Sequence, residues 1–411
     1  MRVTIFCKDG DTHEHPTYAP AECACTALIP GLLANSPTDP ESAFPTGAVQ
    51  RNSFGNQAVY QNQEPTPPSL QRALALHSMA IERQKLGQRD EAIQLLKSAI
   101  PLLESAGHQD PDVALPIVNL LVALYLETGQ TPAAKDLSRK ALQLAKQTQN
   151  RRNRAQTWIV LSELERSSGN YGSARSAARN AEKLTEPTSS DQAAFFEGVQ
   201  NQLARIAYET SDLRTAAVHW RAVLESMQAR FPESDPQLLS LRVDIARVSV
   251  LEHKRNEAER ELAEITRIAE EHGHQTALAR GLYVLGTLYV EQKRPAKAEA
   301  VFLRSLTISD RELGELSADS ALALLDLTKL QLKANEPGRA LAFSSRSTKI
   351  LEYGNTVPLV WLDVLQVHAQ VLKKLSRREE SKQIADVVSR LYALKRVGSL
   401  TIDVHELRLG K

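Results

Sequence analysis

Cysteine is nearly missing from this chain of 411 residues: Cys7, Cys23 and Cys25 are its only three, and all lie within the first 25 positions. A disulfide framework for everything that follows is excluded. Net charge is also missing, since 50 Lys and Arg face 49 Asp and Glu, which removes the electrostatic case for non-specific binding to nucleic acid or membrane. Aromatic residues make up 5%, and the dominance of Ala and Leu favours helix over strand. No apolar run is long enough for a bilayer: the longest, Val113 to Leu126, holds Pro116 and Asn119 and falls short of the roughly 20 residues a span needs. The N-terminal MRVTIFCKDGDTHEHP turns polar after seven residues, and the apolar run from Ala27 to Ala34 is interrupted by Pro30 and Gly31. Neither is a signal-peptide core. The expectation is a soluble, cytoplasmic protein; a true start further upstream would leave room for an export signal.

Catalytic motifs are missing as well. The chain has no G-x-G-x-x-G, no G-x-x-x-x-G-K-[ST], no H-E-x-x-H and no G-x-S-x-G, which removes phosphate loops, zinc-protease helices and nucleophile elbows. The paired carboxylates Glu270–Glu271 and Glu379–Glu380 lie on helical stretches where neighbours point about 100° apart, so neither pair converges on a substrate. No enzyme activity and no cofactor are expected. Cys7, His13, His15, Cys23 and Cys25 fall within 19 residues and are zinc-ligand types, but their spacing matches no usual knuckle, and metal binding is not expected.

Residues 1–68 stand apart. They hold 9 of the 19 prolines, three Lys or Arg against seven Asp or Glu, and end in QNQEPTPPSL. Such a segment buries too little apolar surface to offset its ordering entropy, so disorder is expected there. The rest carries 47 basic against 42 acidic residues.

From Ser69 to about Lys395 a pattern repeats. Ala92, Ala134, Ala174, Ala216, Ala258, Ala298, Ala340 and Ser381 are separated by 42, 40, 42, 42, 40, 42 and 41 residues. A fixed phase over so long a stretch means one supersecondary unit stacked on itself, with small residues where helices cross closely. In the unit MAIERQKLGQRDEAIQLLKSAI, a helix ends near Leu86, Gly87 takes a left-handed turn, and Asp90 and Glu91 enter the positive first turn of the next helix. Gly129 and Gly169 hold the same place in the next two units. His77, Trp158, Trp220 and Trp361 read as packing residues. After Lys395, Leu400, Ile402 and Val404 alternate with polar residues, a short-strand signal in the tail 396–411.

These units resemble tetratricopeptide repeats, which carry small residues at positions 8, 20 and 27. Position 8 is Ala80, Val122, Ser162, Ala204, Ala246, Gly286, Thr328 and Ala369; the alanine series is position 20; position 27 is Ala99, Ala141, Ala181, Val223, Ile265, Ser305, Ser347 and Val388. The sixth unit, LGTLYVEQKRPAKAEAVFLRSL, matches best. The period of 40 to 42 exceeds the family's usual 34 and is similar to that of kinesin light chains. The resemblance covers residues 69–395 and implies an all-α, right-handed superhelix of eight helix pairs, whose first helices line a concave groove through positions 2, 5, 9 and 12. On that rule the groove residues are Asn119, Glu163, Arg166, Asn201, Arg205, Tyr208, Arg247, Arg280, Tyr283, Lys329, Gln370 and Lys373.

Position 9 is nearly apolar in the first two units, at Ile81 and Ala123, while later units gather cations. The expectation is a scaffold or adaptor that takes a peptide or protein segment, acidic because arginine makes bidentate contacts to carboxylates. Two alternatives stand beside it. The cations pair instead with acidic neighbours such as Glu163, Glu209 and Asp244, or the array is a regulatory module that switches an effector by changing its pitch. The chaperone-tail clamp of this family needs Lys and Asn where this chain has His77 and Ile81, so that partner is not expected. Nor is RNA, because period and charge do not fit. The sequence leaves the oligomeric state open.

Overall fold

The computed structural model describes residues 68–105, 110–185, 190–353 and 360–396. Sixteen helices follow one another among the described residues: α1 (Pro68–Lys85), α2 (Arg89–Ser105), α3 (Pro111–Glu127), α4 (Thr131–Gln147), α5 (Arg151–Ser167), α6 (Tyr171–Glu182), α7 (Ser190–Glu209), α8 (Leu213–Gln228), α9 (Pro236–Leu251), α10 (Arg255–Glu271), α11 (Gln275–Glu291), α12 (Pro295–Leu313), α13 (Ala318–Lys333), α14 (Pro337–Tyr353), α15 (Val360–Lys374) and α16 (Arg378–Arg396). They form the eight pairs the alanine series implies. The Cys/His segment and the anticipated strand near Leu400 lie outside the described residues.

The turn inside each pair has one geometry. Its middle residue is left-handed every time, at Gly87, Gly129, Gly169, Ser211, His253, Lys293, Asn335 and Ser376, with φ between 57° and 75°. In the second unit Gly129 donates its N–H to the Leu126 carbonyl at 3.1 Å and Gln130 donates to Tyr125 at 2.7 Å. This pair of bonds satisfies carbonyls the helix end would otherwise strand. The first three units use glycine, which adopts this conformation freely; the other five place an L-side chain there at a cost of about 1–2 kcal/mol. Ser211→Gly and Lys293→Gly are therefore expected to stabilise the array by roughly 0.5–1 kcal/mol each, after the unfolded chain's extra entropy is subtracted. Gly129→Ala is expected to destabilise it by a similar amount. Thermal melts of the three variants check both signs.

All seven alanines of the opening series have 0% exposure, so the helix crossings fall where the small residues recur. Serines do the same work with a hydrogen bond added. Ser162 Oγ donates to the Ala174 carbonyl and Ser381 Oγ to the Ala369 carbonyl, both at 2.8 Å, which joins positions 8 and 20 from opposite sides. Ser305 Oγ donates to the Ala279 carbonyl at 2.8 Å. The drift of position 27 towards serine is thus buried polarity with a partner.

Apolar side chains form a line of adjoining clusters from Leu70 to Val388, as expected where each unit touches only its neighbours. The odd-numbered helices also pack on one another, α3 on α5, α5 on α7, α9 on α11 and α13 on α15. Between α1 and α3, between α7 and α9, and between α11 and α13 the helices pack less closely, and the units meet mainly through α2, α8 and α12. Linker length does not sort the junctions: residues 148–150 join α4 to α5 and 272–274 join α10 to α11, while residues 183–189 and 229–235 are equally long linkers.

Candidate functional site

The odd-numbered helices carry every residue assigned to the groove. Where α5 packs on α7, four charged side chains meet. Arg166 donates through Nε to Glu163 Oε2 at 2.9 Å and through Nη2 to Glu163 Oε1 at 2.6 Å, and through Nη1 to Glu209. Arg205 Nη1 lies 3.5 Å from Glu163 Oε2, and the Gln202 amide donates to the same oxygen at 3.1 Å. None of the four charged side chains is more than 10% exposed. Burial pushes the Glu163 carboxyl up, but the Arg166 and Arg205 charges and the bonds from Arg166 and Gln202 outweigh it and hold the group far below the carboxylate range.

The pattern continues along the array. Arg280 Nη2 on α11 donates to Asp244 Oδ1 on α9 at 2.9 Å, and Arg247 Nη1 lies 3.6 Å from the same oxygen. Tyr283 on α11 donates its hydroxyl to Asp326 Oδ2 on α13 at 2.8 Å, while Lys329 Nζ lies 3.3 Å from Asp326 Oδ1. Burial, the Asp326 charge and that bond raise the Tyr283 phenol well above its ordinary value. Two further carboxylates border these groups. Burial raises the Asp319 pKa against the opposing charges of Arg280 and Arg247, and burial likewise raises Asp363 against Lys329. In the first units amides take over: Asn119 Nδ2 on α3 donates to Thr157 Oγ1 on α5 at 3.0 Å. Burial alone pushes the His77 imidazole down to about 4, so it is neutral at neutral pH.

The alternative of internal pairing therefore holds for five of the predicted cations: Arg166, Arg205, Arg247, Arg280 and Lys329 each have a carboxylate of their own chain within 4 Å. Burial sorts the predicted set further. Asn119, Glu163, Arg205 and Tyr208 are buried, Tyr208 beside the Trp220 ring with centroids 5.7 Å apart. Arg166, Asn201, Arg247, Arg280, Tyr283 and Lys329 are half-buried; Gln370 and Lys373 are exposed. Of the expected packing residues Trp220 is buried and Trp158 packs on a core cluster, while the Trp361 side chain lies outside the described ones. Sequence reasoning missed Asp319, Asp326 and Asp363. A signal for Asp326 was there: Glu163–Arg166, Asp244–Arg247 and Asp326–Lys329 are all acid-to-base pairs at i, i+3. The five paired cations stand against six carboxylates, Glu163, Glu209, Asp244, Asp319, Asp326 and Asp363, and Lys373 brings the wall's cations to six as well. Among the described residues there is no group of three metal-ligating side chains and no helix long and apolar enough to cross a membrane.

Helix pairs stacked in one direction, joined by left-handed turns and crossing at small residues, define a helical-repeat solenoid. More narrowly, the units are tetratricopeptide-type repeats: a tetratricopeptide repeat family model matches residues 279–311, the sixth unit. The fold is shared with solved structures at low identity. The apo form of RapI is 16% identical with a TM-score of 0.54 and covers 79% of this chain and 92% of its own. A Rap protein complexed with Competence and Sporulation Factor is 13% identical with a TM-score of 0.52, covering 80% of this chain and 100% of its own. A putative kinesin light chain repeat protein from Podosopora anserina is 14% identical with a TM-score of 0.38, covering 48% of this chain and 94% of its own. No curated protein sequence matches the chain.

Proposed function

We propose that this protein is a non-enzymatic interaction scaffold that holds an extended protein segment along the wall formed by its odd-numbered helices. The observation that carries this reading is the wall's polarity: charged and amide side chains run from Asn119 to Lys373 on one side of the array, where stability alone would be served as well by apolar residues. An array of this kind offers an extended, preformed surface suited to partners without a globular epitope. The Rap protein with the same fold was solved in complex with Competence and Sporulation Factor, which supports the same class of use.

The internal pairs narrow the expected ligand. Because the wall balances six cations with six carboxylates, its pull on an acidic segment is concentrated where cations are most accessible, at Lys329 and Lys373. Lys329 keeps 35% of its side chain exposed and Lys373 is exposed. A segment with carboxylates at the end that meets α13 and α15 fits best. Lys329→Gln with Lys373→Glu is expected to weaken a co-purified partner about tenfold or more, with only a small change in melting temperature. Unchanged binding sinks the acidic preference, and binding that also survives changes at Asn201 and Arg280 sinks the wall as the site.

A second reading, a regulatory module that changes pitch, is favoured by the looser packing between α7 and α9 and between α11 and α13. A change of pitch there would disturb few contacts between odd-numbered helices, the Tyr283–Asp326 bond among them. Small-angle scattering with and without a partner distinguishes the two, since a rigid scaffold keeps its dimensions.

A further inference from the structure

Away from the wall, α8 and the turn between α9 and α10 enclose a depression of about 430 Å³ lined by Arg214, Ala217, Val218, Arg221, Glu252 and Lys254. Three of the six are cations. Lys254 is held by Glu252 at 2.5 Å, but Arg214 and Arg221 have no ion pair among the described residues, in a chain where most arginines have one. Between the two arginines Val218 is 58% exposed, an apolar spot flanked by two guanidinium groups, of which Arg214 also acts on the Asp212 carboxylate beside it. Arg214, Val218 and Arg221 follow one another at helical spacing on one face of α8.

An acidic segment with a following aromatic fits this chemistry, and the chain contains one. From Asp9 to Gln50 it has six carboxylates and no Lys or Arg; within that stretch Asp39 and Glu41 stand two residues apart, with Phe44 three further on. We propose that the segment Asp39–Phe44 of the same chain docks in this depression, its two carboxylates on Arg214 and Arg221 and the Phe44 ring over Val218.

Magnitudes favour this occupant over a separate acidic protein. Exposed ion pairs contribute little each, so a shallow site of this kind stays empty at micromolar ligand. A tethered segment is present at an effective concentration on the order of millimolar and fills it. The tether reaches: 23 residues lie between Phe44 and Pro68, up to about 75 Å of extended chain. From α1 to α8 there are seven helix-to-helix steps of at most about 10 Å.

Zero-length carbodiimide coupling of the full chain tests the docking, because Lys254 borders the site and supplies the amine. A cross-link from Lys254 to Asp39 or Glu41 is expected by mass spectrometry. It should fall at least fivefold in 0.5 M NaCl, where screening shortens to a few ångströms, and at least fivefold in Arg214→Glu/Arg221→Glu. Both arginines are exposed, so that variant keeps its fold, which circular dichroism verifies. Adding Asp39→Arg/Glu41→Arg to it should restore segment contact, read as recovered protection of residues 213–221 in hydrogen exchange. The proposal is overturned by a Lys254 cross-link confined to Glu252, or by acidic segments that couple equally to lysines all along the array. A mixture of 14N and 15N chains giving mixed-mass products overturns it in favour of a second copy.

Discussion

Replacing Arg166 by alanine is expected to cost about 3–5 kcal/mol, the loss that follows when one partner of a buried ion pair is removed and the other stays. Arg166 is the hub of the α5–α7 cluster: it bonds Glu163 on its own helix and Glu209 one unit away. Without it two nearly buried carboxylates lose their shared cation, and Glu163 keeps the Gln202 amide at 3.1 Å and Arg205 at 3.5 Å. The cost is a penalty for stranded charge rather than the net worth of the pair. Replacing Glu163, Arg166 and Glu209 together by apolar residues of similar size should therefore bring back most of the stability. Chemical denaturation of the single and triple variants separates the two contributions. A single variant within 1 kcal/mol of the natural protein would falsify the view that this cluster is electrostatically closed.

The same cluster sets an acid limit. Glu163 has its folded pKa depressed below the reference value of 4.5, so the stability it contributes is fully present above about pH 4.5. It is lost as pH falls below that value, where the unfolded chain binds a proton that the folded cluster refuses. The expected melting profile is flat for this group between pH 5 and 8 and steepens below pH 4.5. Glu163→Gln should remove part of that steepening while lowering stability at pH 7.

What could be read in the sequence follows from how local each cause is. The first three turns and the crossings at Ala92 to Ala340 were legible because each depends on residues within a few positions of one another. Gly87, Gly129 and Gly169 announced their turns; Ser211, His253, Lys293, Asn335 and Ser376 did not, because they are left-handed against their own preference in a turn closed by the same two backbone hydrogen bonds. The wall was half legible. Its cations fell on the expected helix face, but Arg166–Glu209 and Tyr283–Asp326 join residues 43 apart, and Arg280–Asp244 residues 36 apart. Those separations bracket one repeat period, so the carboxylates belonged in the same alignment as the cations. Charge read one sign at a time made a balanced wall look basic. Exposure was not legible, since the depth of Arg205 or Asn119 depends on how closely neighbouring odd-numbered helices pack.

Gly286→Ala is the second large effect, and it would look harmless by propensity, since alanine gains about 1 kcal/mol over glycine inside a helix. A methyl group here would stand 2.5 Å from Phe302 Cδ1 and 2.8 Å from its Cζ, against a normal carbon separation of about 3.5–4.0 Å. The ring cannot retreat: Phe302 has 0% exposure and leans on Tyr283 at 5.7 Å between centroids. Overpacking of this kind costs about 1–3 kcal/mol, occasionally more, so a net loss of about 2 kcal/mol is expected. The reason is written across the other units. Positions 8 and 24 never carry two large side chains: Ala80 with Leu96, Val122 with Ser138, Ser162 with Ala178, Ala204 with Trp220, Ala246 with Leu262, Gly286 with Phe302, Thr328 with Ser344 and Ala369 with Ala385. The pair Gly286→Ala/Phe302→Leu copies the combination that the first and fifth units use, and it should recover at least half of the loss. Gly281→Ala is the control, because its nearest neighbour is the Thr266 methyl at 3.1 Å on a half-buried side chain with room to shift, and it should be close to neutral. If Gly286→Ala melts with the natural protein, the two positions do not compete for one space and the absence of large pairs has another cause.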